Sequence, residues 1–406
     1  MGGASDVSDR RAWLITGWLW LGVAGITTYE IAPASVLRLI GADLGVSQTG
    51  VSWLVSVFLL GMVVFSLPAG FVTDRFDDRR VILGMAGLYA LSVGWAVWAS
   101  VEGAYWWLVG ARFVGGAVNV VLWTAAVNVV GATFARTRQG IGLGFLLTSV
   151  PGGFAIAHAV TPLLATSLGW PGSFGIYGAT TVIATGGFWA ATRGIEIRTR
   201  TEPPDPAAFG EVLTNRWVWA VGGLGFATFS LNLFFNSWLP TYLVDEFGLS
   251  LAQGGAFAAV FPAIGAVARI TSGSISDRFM AGRRNPIVLG SFAVIVPLVA
   301  LIAAVRSLVL LLLALVVAGF VTQMGLALLL PYVREFVAES VTATAVGVLN
   351  VMGFLGAFIT PVLTGWLIEM TGGYAAAFGY AFAIAAAGTL LAWVVPEARD
   401  AESDGE

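Results

Sequence analysis

Gly70-Phe71-Val72-Thr73-Asp74-Arg75-Phe76 runs into Asp77-Asp78-Arg79-Arg80, and Gly273-Ser274-Ile275-Ser276-Asp277-Arg278-Phe279 is followed closely by Arg283-Arg284. Both stretches read G-x-x-x-D-R-F and then paired Arg, about 203 residues apart. Each stands at the end of a long apolar run, 49–72 for the first and 252–275 for the second. Thr161-Pro162 and Thr360-Pro361 give a further echo, 199 residues apart. Two echoes at nearly one offset argue that a unit of about 200 residues has been duplicated.

Working outward from these stretches, the chain divides into apolar runs long enough to cross a bilayer, which takes about 20 residues. They are 13–36, 49–72, 80–100, 104–133, 139–166 and 172–192, then 217–243, 252–275, 286–305, 307–332, 341–368 and 374–396. The runs are continuous and do not alternate with period two, and in hydrocarbon only helices or closed barrels satisfy the backbone, so they are predicted helices. Of 406 residues 58% are hydrophobic and 11% charged, where a soluble domain carries about 25% charged residues. The expected fold is an all-α membrane protein, twelve transmembrane helices in two six-helix bundles related by pseudo-two-fold symmetry. Residues 1–192 form the first bundle and 217–406 the second, which ends in a short acidic tail. The polar, Pro-rich stretch 193–216, with Pro203, Pro204 and Pro206, is the linker between them. The polar first twelve residues and the length of the run after them do not read as a cleaved signal.

All 20 basic residues are Arg, with one His and no Cys. Without Lys there is no Walker A phosphate loop. Without Cys and with a single His, an HExxH zinc site, a thiol nucleophile and a disulfide framework fall away together. No G-x-S-x-G elbow occurs. An enzyme is therefore not expected, nor a cofactor or metal, and a net charge of -3 suggests no nucleic-acid partner. With the N-terminus inside, inner loops and tails hold 16 of the Arg and outer loops only Arg38 and Arg306, while Arg112 and Arg269 fall within spans. That bias puts both termini in the cytoplasm of a multi-pass cell-membrane protein.

The sequence resembles the Major Facilitator Superfamily of secondary transporters over essentially its whole length. The loop motif of that family is G-x-L-a-D-r-x-G-r-(k/r). Gly70, Asp74, Arg75, Arg79 and Arg80 match it with one extra residue, although Asp77 and Asp78 lie where a Gly is usual. Gly273, Asp277, Arg278, Gly282, Arg283 and Arg284 match it after a two-residue insertion. Arg112 and Gly116 meet the R-x-x-x-G motif of the fourth span, and Gly169-Trp170 with Phe174 resembles the usual exit from the fifth helix. Trp238-Leu239-Pro240-Thr241-Tyr242-Leu243 with Phe247-Gly248-Leu249-Ser250 is similar to the organic-anion branches, the anion:cation symporters and the nitrate or cyanate carriers. Arg269, eight residues before Asp277, resembles the anion-binding Arg of nitrate carriers; Ser66 stands where such carriers have a partner Arg. The resemblance implies a monomeric carrier of a small organic or inorganic anion, working by alternating access with protons as coupling ion. Multidrug or metabolite export is the alternative, though Thr161 precedes Pro162 where the antiporter motif has Gly. It also implies that the two D-R loops form a cytoplasmic gate that bridges the bundles when the carrier faces outward.

Charges within a bilayer cost about 2.5 kcal/mol or more each, so each is a candidate site. Glu30, Arg112 and His158 come from three spans and share one layer of the outer half at ~1.5 Å rise per residue. Glu30 and Arg112 read either as a proton- or substrate-linked pair or as a buried pair that fixes packing. In the first reading, protonation of Glu30 frees Arg112 for the anion and gives symport. His158 reads as a proton sensor or a satisfied core histidine, and Arg269 in the inner half as an anion ligand or the partner of a helix-end carbonyl. Asn232 and Asn236, four apart on one face, with Gln323 and Asn350, are uncharged candidates that serve a ligand or bridge helices.

Overall fold

The computed structural model describes residues 8–195, 210, 212–280, 282–338 and 341–397. Most of the Pro-rich linker and of the acidic tail, with Arg399, lies outside the described residues. The first half holds α1 (Asp9–Ser35), α2 (Leu37–Leu44), α3 (Gln48–Arg75), α4 (Asp78–Val101), α5 (Tyr105–Thr133), α6 (Gln139–Leu147) and α7 (Ser149–Ala191). The second holds α8 (Arg216–Phe247), α9 (Leu251–Ala258), α10 (Val260–Phe279), α11 (Asn285–Ala304), α12 (Leu308–Arg334), α13 (Thr342–Thr371) and α14 (Ala375–Val394). Leu91, Ile183, Leu310, Leu313 and Leu390 point outward from these helices, an apolar coat that only lipid would cover.

Twelve crossings result once two features are recognised. The stretch Gln139–Ala191 is 53 residues long, about 80 Å of helix at ~1.5 Å per residue against a hydrocarbon core of about 30 Å. It turns back at Gly169, whose φ of 73° and ψ of 157° are open to glycine and strained for other residues. The Trp170 indole donates to Asp43 at 2.7 Å and ties this corner to the end of α2. The fifth and eighth crossings are each built from two helices, broken at Thr148 and Ala259. The sequence reads each as one span because both breaks lie inside apolar sequence.

The duplication is visible in packing. A Cβ on Gly116 of α5 would run into the Phe58 carbonyl of α3, and a Cβ on Gly319 of α12 into the Phe261 carbonyl of α10. These two close approaches are equivalent at the offset that separates Gly70 from Gly273. Thr161 meets the Tyr177 hydroxyl at 2.8 Å in the first bundle and Thr360 meets that of Tyr380 at 2.9 Å in the second. Each bond ties the proline-bearing crossing to the one after it.

Helix ends explain residues that hydropathy alone leaves open. The first helix begins at Asp9, inside the polar leader, because Arg11 donates to the Ala191 carbonyl at 2.9 Å and Asp9 pairs with Arg138. Asp77, standing near the place of the usual motif glycine, accepts from the Arg80 amide at 3.1 Å and caps α4. Asp78 is buried and accepts from Asn128 at 3.4 Å. The eight-residue α2 occupies what the sequence reads as an outer loop.

Candidate functional site

In the first bundle Arg112 is fully buried and Glu30 is 4% exposed. They share the layer that helix rise assigns to them, but not through an ion pair. The Arg112 guanidinium donates from Nη2 to the backbone carbonyl of Glu30 at 2.6 Å, from Nη1 to that of Tyr29 at 3.2 Å and from Nε to that of Leu54. The rings of Tyr29, Phe58 and Phe174 lie 4.6, 5.5 and 5.6 Å from its central carbon. Arg112 therefore fastens α5 to α1 and α3 through main-chain acceptors, inside an aromatic cage that a guanidinium suits better than an ammonium does. The Glu30 carboxylate keeps the positive charge near it without spending its oxygens on it.

His158 spans the two bundles. Its Nδ1 lies 2.8 Å from the Ser35 hydroxyl and its Nε2 lies 3.3 Å from Asn236 Oδ1 on α8. An amide oxygen only accepts, so Nε2 carries the proton and Ser35 donates to Nδ1. Asn236 in turn donates to the Asn232 carbonyl at 2.8 Å and to its Oδ1 at 3.3 Å. The four-residue spacing thus forms a ladder along α8 with a histidine of the other bundle at its top.

Arg269 on α10 is half-buried at the seam between bundles. Its Nε donates to Gln323 Oε1 of α12 at 2.8 Å and its Nη1 to the Leu147 carbonyl of α6 at 2.9 Å. Gln323 is itself buried, and Gly265 leaves the room in which its side chain lies. Asn350 is half-buried on α13 and makes no hydrogen bond with the other candidates.

The two loop copies differ. In the second, Arg284 reaches Asp277 at 3.2 Å, the Ser276 hydroxyl at 2.6 Å and Glu335 at 3.5 Å, so this copy is held inside its own bundle. In the first, Asp74, Arg75 and Arg80 are exposed, Gly70 is half-buried, and Arg79 donates to the Trp189 carbonyl at 3.3 Å. Gly273, Arg278 and Arg283 are exposed. Contacts joining the bundles gather at the opposite end. Arg38 pairs there with Asp245, and Glu369 accepts from the Thr49 hydroxyl at 2.6 Å. Gly255 lies close against the His158 carbonyl and Pro162, and Trp53 against Phe358 at 6.0 Å. The chain is sealed on the side away from its arginine-rich loops. Sequence reasoning missed Ser35, Arg38, Thr49, Asp245 and Glu369, since a polar residue near a span end carries no mark of its partner.

A family model described as Major Facilitator Superfamily matches residues 17–320. The chain is 24% identical over 409 residues to a probable L-galactonate transporter of Escherichia coli (strain K12), covering 92% of this chain and 87% of that protein. It is 22% identical over 424 residues to a probable galactarate/D-glucarate transporter of the same strain, covering 93% and 92%. A bacterial homologue of the human lysosomal transporter Spinster, in an inward-facing and unoccupied conformation, superposes with a TM-score of 0.75 at 15% identity, covering 97% of this chain and 98% of that one.

Proposed function

The chain belongs to the Major Facilitator Superfamily, and from that premise, which makes it a transporter and not an enzyme, we propose that it carries a sugar acid or similar small organic anion by proton-coupled symport. The observation that carries the reading is Arg269, a cation half-buried at the seam of the two bundles and held there by Gln323. A carboxylate entering a low-dielectric site needs a fixed positive partner, and a guanidinium offers it two parallel donors. Hydroxyl groups of the substrate need amide partners, which Asn232 and Asn350 supply. The solutes after which the two relatives are named, galactonate and galactarate or glucarate, have this combination of carboxylate and hydroxyls.

Proton coupling is assigned to Glu30 and Arg112, by a route that differs from simple release of the arginine. Arg112 is already committed to backbone carbonyls. With Glu30 ionised, its charge and that of Arg112 cancel within one layer. With Glu30 protonated, the layer carries one uncompensated positive charge in an apolar bundle, which an anion offsets. Proton and anion thus enter together. Orientation follows from the arginine bias: the D-R loops and both termini face the cytoplasm, residues 193–216 link the bundles there, and the loops bridge the bundles when the carrier opens outward.

The test is uptake of radiolabelled galactarate, glucarate and galactonate into proteoliposomes with an imposed pH gradient. Saturable uptake that an inward proton gradient accelerates is expected. Uptake of none of the three, or acceleration by an outward gradient only, would overturn the assignment.

A further inference from the structure

In an unbroken helix the Leu147 carbonyl would accept from the amide of residue 151. Residue 151 is Pro and has no N–H. The helical ladder resumes one step later, where the Gly152 amide donates to the Thr148 carbonyl at 2.9 Å. Pro151 therefore strips a single acceptor of its donor, at the joint between α6 and α7. A bare carbonyl is costly in a bilayer, and here the missing donor comes from the other bundle, as Arg269 Nη1 at 2.9 Å.

We propose that Pro151 gives Arg269 a resting place: the guanidinium sits on the Leu147 carbonyl while no anion is bound, and an arriving carboxylate draws it away and loosens the seam between α6 and α10. This rests on the reading of Arg269 as the anion ligand and adds the way in which binding acts on the bundles. A neutral carbonyl takes one of the five guanidinium N–H groups, and Gln323 takes another. A carboxylate engages two at once with full charge, and such bonds are about twice as strong as neutral ones. The exchange favours the anion, and what it gives up is a bond between bundles. Pro151 touches no substrate; it is a positioning residue that acts through Leu147.

The experiment uses the full chain in lipid nanodiscs with galactarate as probe. Because the chain has no Cys, Gly140→Cys and Ser274→Cys on the exposed faces of α6 and α10 place two spin labels across the seam without competing sites. Pro151→Ala restores an N–H that can reclaim Leu147. The expected result is galactarate binding three- to tenfold tighter, with the ligand-free label distance moved toward the one that saturating galactarate produces in the unsubstituted chain. Tighter binding is not what damage to a helix produces, so the readout separates positioning from packing. Unchanged affinity and unchanged distance in Pro151→Ala, with Arg269→Ala unable to bind galactarate, overturn the resting place and leave the anion reading standing. Normal galactarate binding by Arg269→Ala overturns both. Should Pro151→Ala fail to fold, the label pair in the unsubstituted chain decides alone, and a distance that stays fixed at saturating galactarate refutes the proposal.

Discussion

Removing charge from Glu30 should cost far less stability than removing the guanidinium from Arg112, although the two residues share a layer. Arg112 supplies three donors to carbonyls of α1 and α3. Arg112→Lys keeps the charge but replaces a planar fork with a point donor, which reaches at most one of the three acceptors well. Bonds between membrane helices are worth about 0.6 kcal/mol on average and up to about 1.7. Loss of two therefore predicts about 1–3 kcal/mol, before any loss from the ring cage. Glu30→Gln disturbs none of these bonds, because Arg112 binds the main chain of residue 30 and not its carboxylate, so it loses only the compensation of charge within the layer and should cost less than Arg112→Lys. The assay is reversible unfolding in mixed micelles as the fraction of SDS is raised, followed by Trp fluorescence. If Glu30→Gln costs as much as Arg112→Lys, the two side chains hold each other as an ion pair and the reasoning above is wrong.

Transport by Glu30→Gln, measured per folded molecule, should keep galactarate exchange and lose its acceleration by an inward proton gradient; intact gradient dependence would remove Glu30 from the coupling. Asp245→Asn breaks the pair with Arg38, which is 54% exposed on the Arg38 side, so it should weaken the seal by about 0.2–1 kcal/mol. Labels on that end should then show a roughly 1.4- to fivefold larger open-to-closed ratio, and an unaltered distribution would show that the seal rests elsewhere. Gly116→Ala and Gly319→Ala each force a methyl against a backbone carbonyl, and both should lower the yield of monodisperse protein sharply; normal yield from either contradicts the close approach.

The crossings were legible because a bilayer imposes one length and one kind of hydrogen bonding, and the duplication because its echoes keep a fixed offset. The layer of Glu30, Arg112 and His158 was legible from helix rise alone. What each polar group bonds was not. The sequence pairs Arg112 with Glu30, for coupling or for packing, and does not show that its guanidinium is occupied by carbonyls; nor does it show that Arg269 takes a carbonyl set free by a proline four positions beyond that carbonyl. Main-chain acceptors leave no trace in a pattern of side chains, and only helix register says which are unserved. The pairing of His158 with Asn236 depends on how two bundles meet, which no local stretch records.

Gly169 carries a mechanical consequence. Most crossings of this chain are joined by several residues that let neighbouring helices tilt independently. The fifth and sixth are joined by one left-handed residue, with Trp170 locked to Asp43 beside it. Such a joint behaves as a crank. Any tilt of the fifth crossing, which carries the Leu147 joint and His158, is passed to the sixth, to which the Thr161–Tyr177 bond also ties it, so the pair swings as one lever.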